Sequence, residues 1–389
     1  VVGVAVLISR KQFYTLAEPL KLWRGGSLYP VTIAYETWGE LSPERDNVIL
    51  VLHALTGDSH AAGKYSEDED KCGWWDPLIG PGRAFDTNRY FVICSNVIGG
   101  CQGSTGPSSI NPETGYPYAM DFPVITIQDM VAAQVELLKA LGINKLLAVT
   151  GGSIGGMQAI EWVIRYPDWV ENALIFGALP KTSPQSIGFN AVGRQAIMID
   201  PEWKGGKYYP SPGPVAGLSV ARMVGMITYQ SYEGMWIRFG RKLATRPTTY
   251  SPLGEKFDVE GYLEYQGYKL TQRFDANSYL YLTRAMDLYD ASEGFDSELE
   301  AYDRIRANIL LVGISTDWLY PPHEVKAFAN QLRDLGKNAV YEELDSIHGH
   351  DAFLKEWEQM TRIITRYMEN LGDEAHYVTS PLGDGELIK

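Results

Sequence analysis

Cysteine is scarce in this chain: Cys72, Cys94 and Cys101 are the only three in 389 residues, and no two form a C-x-x-C pair. So odd and sparse a set does not make a disulfide framework. Free thiols suit a reducing compartment, so the chain is expected in the cytoplasm. Long apolar runs are also missing. Nothing approaches the roughly 20 residues that span a bilayer. Residues 1–8 are apolar, but they lack the basic flank and layout of a signal peptide and read as a first strand. Positive charge is in deficit, with 34 Lys and Arg against 48 Asp and Glu, a net charge of −14. A nucleic-acid binder needs a basic footprint, so nucleic acid is excluded as a partner. A local basic patch for a small anion is not excluded by that balance. Internal repeats and low-complexity tracts are absent as well.

What is present is a globular composition, 45% hydrophobic and 21% charged, able to bury enough apolar surface to offset chain entropy. The length suits one large domain with a sizeable insertion, or two domains. Residues 31–38 alternate as a strand does. Residues 47–53 and 90–96 are continuous apolar runs, the pattern of strands buried on both faces. Residues 126–141 have helical periodicity and end at Gly142, 145–150 read as a strand, 154–166 as a helix stopped by Pro167, and 170–176 as a strand. This alternation predicts an α/β fold, a mostly parallel sheet flanked by helices. The rhythm then breaks. Residues 179–302 are helical in pattern, with 216–242 and 257–288 rich in Met, Tyr and Arg. Strands return at 308–314 and 339–344, a last helix is expected over 352–371, and a polar extension follows residue 372. The expected organisation is a core formed by residues 1–178 and 303–389, interrupted by a helical lid over residues 179–302.

Gly151, Gly152, Ser153, Ile154, Gly155 and Gly156 follow a buried strand and open a helix. That is the strand–turn–helix context of a G-x-S-x-G nucleophile elbow, in which small residues permit the tight turn and the helix N-terminus favours developing negative charge. A phosphate-binding loop would need Gly-Lys-Ser/Thr, and a dinucleotide fingerprint G-x-G-x-x-G; neither fits. Ser153 is therefore the candidate nucleophile, and a serine needs a base oriented by an acid. On this fold the chain order is Ser, Asp or Glu, then His, each after a strand end. Asp317 lies three residues beyond the strand 308–314; the competing reading is a turn carboxylate. His53 and His60 precede the nucleophile, His323 is too near Asp317, and His376 lies in the tail. His348 and His350 both remain. Strand logic does not separate them, and His350 is preferred because it touches the start of the last helix. No third ligand cluster supports a metal at His-x-His, so no metal is expected.

Residues 53–60 (HALTGDSH), 99–112 (GGCQGSTGPSSINP), 151–158 (GGSIGGMQ) and 349–354 (GHDAFL) together closely resemble the homoserine O-acetyltransferase family. The resemblance runs from about residue 13 to 371. Family members usually carry Met where this chain has Ile154, a change that leaves a backbone role intact. The resemblance implies the α/β-hydrolase fold, with Ser153 as nucleophile, Asp317 as orienter and His350 as base, and the backbone N–H groups of Leu55 and Ile154 as the oxyanion hole. It further implies Arg222 as reader of the substrate carboxylate and Asp351 as partner of its amino group. Arg222 has Leu218 and Met226 four residues away on either side, so it falls on an apolar helix face where a charge needs a partner. The alternative for Arg222 is an internal salt bridge. For Asp351 it is the N-cap of the last helix.

The activity so implied is transfer of acetyl from acetyl-CoA to L-homoserine by a ping-pong acyl-serine route in methionine biosynthesis. Acetyl-CoA serves as co-substrate, no permanently bound cofactor is required, and a homodimer is expected with no membrane partner. Arg238, Arg241, Lys242 and Arg246 are a candidate field for the anionic CoA; a solvated helix face explains them equally. Three rivals stand beside this reading: a homoserine or serine O-succinyltransferase, a plain esterase or thioesterase, and a non-catalytic binding protein of the same fold.

Overall fold

A computed structural model describes residues 7–244 and 254–370. The sheet is built from β1 (Gln12–Thr15), β2 (Thr32–Trp38), β3 (Val48–Leu52), β4 (Phe91–Ser95), β5 (Leu146–Gly152), β6 (Val170–Phe176), β7 (Asn308–Ile314) and β8 (Ala339–Leu344), in the order β1-β2-β4-β3-β5-β6-β7-β8. β1 and β2 pair antiparallel, β2 meets β4 antiparallel, and every other neighbouring pair is parallel. The expected mostly parallel sheet is what forms.

β3 shows why. All five of its residues are buried, and its side chains alternate between two apolar clusters: Val48, Leu50 and Leu52 in one, Ile49 and Val51 in the other. A strand covered on both faces has no use for polar alternation. Each such side chain contributes roughly 1.5–3 kcal/mol by burial. Helix α1 (Ile127–Ala140) begins in a reciprocal capping box between Thr126 and Asp129, and α2 (Ile154–Arg165) packs on β5 and β6.

Between β6 and β7 the chain runs through α3 (Pro184–Met198), α4 (Val215–Thr228), α5 (Tyr232–Phe239), α6 (Asp258–Thr271), α7 (Ala276–Asp287) and α8 (Glu298–Asp303). The helical stretches at 216–242 and 257–288 each divide in two. Ser231 caps α5 by accepting from the Gly234 N–H at 2.9 Å, and Asp275 caps α7 by accepting from the Ser278 N–H at 2.8 Å. A side chain that satisfies a helix start also ends the helix before it. After α9 (Pro322–Asp334) and β8, the expected last helix breaks as well. A short 3-10 turn (Gly349–Leu354) precedes α10 (Trp357–Glu369). Of the expected first strand only Leu7 and Ile8 are described, Ile8 forming a single bridge to Lys64. Residues 1–6 and the tail from 371 onward lie outside the described residues. Among the described residues no helix is long and apolar enough to cross a membrane.

Candidate active site

Ser153 sits between the end of β5 and the start of α2 with φ 58° and ψ −125°. This is a backbone state that side chains rarely adopt, and it costs of order 1–3 kcal/mol. The glycines around it are required by space. A Cβ on Gly155 would lie 2.1 Å from the Leu52 carbonyl oxygen, and one on Gly152 would lie 2.5 Å from the Phe353 ring. The turn thus lifts Ser153 clear of the sheet and leaves the Ile154 N–H, first in its helix, without an intrahelical acceptor.

Asp317 and His350 arrive from the loops after β7 and β8. His350 Nδ1 lies 2.6 Å from Asp317 Oδ2, and both residues are only 3% exposed. The other carboxylate oxygen accepts the backbone N–H groups of Leu319 and Tyr320 at 2.9 and 3.0 Å. Burial opposes a charged imidazole at His350. The Asp317 carboxylate outweighs it by charge and hydrogen bond, Asp351 adds to this, and the group is held above the ordinary histidine value. With Nδ1 committed to Asp317, Nε2 has no partner among the described residues. His348, the other candidate base, has a side chain 43% exposed and lies 3.9 Å from Glu356. The structure thus sets His350 against Asp317 and His348 beside Glu356.

Leu55, in the loop after β3, lines the same narrow cleft as Ser153, and its N–H has no acceptor among the described residues. Tyr229, Tyr279 and Tyr320 form much of the wall. Arg222 is half-buried on α4, at the edge of the face that buries Leu218 and Met226. Its guanidinium lies over the Tyr229 ring, 5.6 Å from the centroid, and no described carboxylate comes within ion-pair distance. Asp351 does not cap α10, whose N-cap is Glu356. It lies inside the 3-10 turn, its N–H donates to the Tyr229 carbonyl at 3.2 Å, and Lys355 Nζ is 3.5 Å from its carboxylate. The Tyr229 hydroxyl, whose pKa burial raises, lies in the fields of both Arg222 and Asp351. Arg222 and Asp351 thus both lie near Tyr229, which itself lines the cleft.

Sequence reasoning missed Tyr320, 1% exposed, whose hydroxyl is near Ser153 but makes no hydrogen bond of good geometry. Its place three residues after Asp317 was the available signal. Of the basic cluster, Arg238 stacks on Tyr262 at 4.2 Å and Arg241 on Phe257 at 5.2 Å; Lys242 is exposed and Arg246 lies outside the described residues. No group of three or more metal-ligating side chains is present among the described residues.

Residues 47–356 match the family model for the alpha/beta hydrolase fold. A homoserine O-acetyltransferase of Symbiobacterium thermophilum is 52% identical over 378 residues, covering 95% of this chain and 98% of the relative. One from Moorella thermoacetica is 50% identical over 369 residues, covering 95% and 98%. Among solved structures, the homoserine O-acetyltransferase from Bacillus anthracis superposes with a TM-score of 0.88 at 34% identity, covering 96% of this chain and all of that one. Esterase E22 superposes at 0.85 with 29% identity, covering 93% of this chain and all of that one.

Proposed function

The chain belongs to the homoserine O-acetyltransferase family of α/β hydrolases, and we propose that Ser153, His350 and Asp317 carry acetyl from acetyl-CoA to the hydroxyl of L-homoserine. The observation that carries the residue assignment is the His350–Asp317 bond of 2.6 Å under the ring of Tyr320, whose hydroxyl lies near Ser153, with Nε2 left unpartnered among the described residues. Nε2 takes the Ser153 proton as Oγ attacks the thioester carbonyl. The N–H groups of Leu55 and Ile154 receive the negative oxygen of the tetrahedral intermediate. The C–S bond breaks and His350 returns the proton to the CoA sulfur. In the second half-reaction His350 takes the homoserine hydroxyl proton, that oxygen attacks the acetyl-serine, and Ser153 leaves with the proton.

Transfer must outrun hydrolysis, and the likeness to esterase E22 makes that competition the central question. Two features favour an amino-acid acceptor. Arg222 lacks a carboxylate of its own among the described residues, and Asp351 also acts on Tyr229, so a zwitterion would find one opposite charge for each of its ends near that ring. The helices of residues 179–302 act in this reading as a lid domain that keeps water out. Apolar side chains exposed on those helices, Tyr232, Trp236, Ile237 and Tyr265 among them, form the homodimer contact. The cytoplasm is the fitting compartment for three unpaired thiols. The reaction needs acetyl-CoA as co-substrate and no bound cofactor.

The test is intact-protein mass spectrometry after incubation with acetyl-CoA or succinyl-CoA, without homoserine. An acetyl adduct that maps to Ser153 and disappears on adding homoserine is expected. A succinyl adduct in its place makes this a succinyltransferase. Equal loss of the adduct with and without homoserine makes it an esterase.

A further inference from the structure

His53 closes β3 just before Leu55 and is 1% exposed. Its Nε2 lies 3.0 Å from the Val97 backbone nitrogen and 3.1 Å from Asn96 Nδ2. A backbone N–H can only donate, so Nε2 must be the acceptor. The proton then sits on Nδ1, which lies 2.8 Å from the Ala54 carbonyl oxygen and donates to it. The tautomer is thus fixed from both ends. Burial holds the ring on the neutral side; the bond to Ala54 and the charge of Asp58 offset it only in part.

The consequence lies one bond further on. In a trans peptide the C=O of one residue and the N–H of the next point in opposite directions. Pinning the Ala54 carbonyl to the imidazole therefore turns the Leu55 N–H away from His53. That N–H has no acceptor among the described residues, and Leu55 lines the cleft with Ser153. The rest of the loop is held separately. Arg273 Nη1 donates to the Thr56 carbonyl at 2.8 Å, and Ser59 Oγ and His60 Nδ1 bind the buried Glu36 carboxylate at 3.0 and 2.8 Å. Those clamps fix where the loop runs. The peptide whose rotation sets the direction of the Leu55 N–H is gripped twice at the Ala54 carbonyl, by the Gly57 N–H at 2.8 Å and by His53 Nδ1, and His53 is the side-chain part of that grip.

We propose that neutral His53 is a positioning residue for the oxyanion hole, aiming the Leu55 N–H at the tetrahedral intermediate through its bond to the Ala54 carbonyl. This rests on the reading of Leu55 as an oxyanion donor given above. His53 touches no reacting atom, so its effect belongs in the rate of acylation rather than in ground-state affinity.

Two conservative variants divide its two bonds. The Asn side-chain amide falls near Nδ1 and can still donate to the Ala54 carbonyl. The Gln side chain reaches as far as Nε2 and can accept from Val97, but leaves the carbonyl to the Gly57 N–H alone. In single-turnover CoA release from acetyl-CoA, His53→Gln should be about 10-fold slower, well short of the roughly 10²–10³-fold cost of deleting an oxyanion donor, because the Gly57 bond remains. His53→Asn should recover to within roughly twofold of the parent rate, because the side-chain bond to the carbonyl survives. The KM for acetyl-CoA should hold in both. Inhibition by 1,1,1-trifluoroacetone, whose adduct with a serine places an oxyanion in that hole, should weaken in His53→Gln in step with the rate. Equal losses in the two variants, or a loss confined to KM, would overturn the proposal, and so would a rate loss with unchanged trifluoroacetone inhibition. Melting temperatures show whether either variant merely fails to fold; the Asn-to-Gln contrast is read on folded protein. A Ser153→Ala control separates the two levels. If it still releases CoA, the acyl-serine reading fails; if it is inert and both His53 variants are fast, only this inference fails.

Discussion

Tyr320 lies over His350, ring centroids 5.0 Å apart and planes 29° apart. The loop that carries Tyr320 also supplies two backbone N–H groups to Asp317. One segment therefore roofs the base and anchors its acid.

That enclosure has a pH signature. His350 must be neutral to act as base, and its folded value is held above the ordinary histidine value of about 6.5. Activity should fall as pH drops through that raised value, so the acid limb of kcat/KM lies above 6.5. In Asp317→Asn the residual activity should have its limb shifted to lower pH. The stability sign is opposite. Because the folded state binds this proton more tightly, the contribution is complete below 6.5 and disappears as pH rises through the folded value. His350→Ala should thus cost more in Tm at pH 6 than at pH 9. Rates of CoA release and thermal melts across pH check both; a limb at or below 6.5 contradicts the geometry.

Ser153 is held at φ 58°, so removing the side chain should separate activity from stability. Ser153→Ala should keep the fold while losing transfer, leaving about 10³–10⁴-fold over water at most. Ser153→Gly should be equally inactive yet more stable than the alanine variant by roughly 1 kcal/mol, since glycine adopts this backbone freely. Denaturant unfolding of the pair measures the strain. An alanine variant at least as stable as the glycine one would mean that the turn is not strained.

Arg222 offers a fork of donors that lysine cannot copy. Arg222→Lys should lower steady-state transfer to homoserine by roughly 10- to 100-fold, the worth of one charge-assisted pairing. The burst of CoA without homoserine should stay within about twofold, because acylation does not use that group. If burst and transfer fall together, Arg222 supports the fold or the donor site instead.

The exposed face of α5 predicts association. Tyr232, Trp236 and Ile237 are 80%, 57% and 66% exposed. Ile237→Asp would bury a charge in any interface made there, and should shift a dimer toward monomer by about 100-fold in Kd. Sedimentation velocity over a concentration series reads it. An unchanged distribution would place the contact elsewhere.

Strands were the most legible part of the sequence, and β6, β7 and β8 fall where their apolar runs lie. Each is followed by a glycine or polar residue (Gly177, Ser315 and Asp345) and has too little length to be anything else. The long helical stretches were less so. Ser231 and Asp275 look like ordinary polar residues within a helical pattern until their caps form. Ser153 was readable because its glycines advertise a forbidden volume. The choice between His348 and His350 was not, because two residues of spacing say nothing about which ring turns inward. Tyr320 and His53 were illegible for the same reason. What each does depends on which atom it faces across tens to hundreds of residues of chain.

The helices between β6 and β7 share an apolar core with the sheet they cover. Leu218, Leu270 and Tyr279 belong to the same unbroken apolar cluster as Leu50 and Val149. Swinging those helices aside as a hinged flap would open that cluster to water, at a cost comparable to unfolding a large part of the molecule. Heat should therefore melt insertion and sheet together, in one cooperative step. Substrates are left to enter by small displacements of the side chains around the cleft, so the rhythm of admission is set by rotamer changes at its aromatic walls rather than by the travel of a domain.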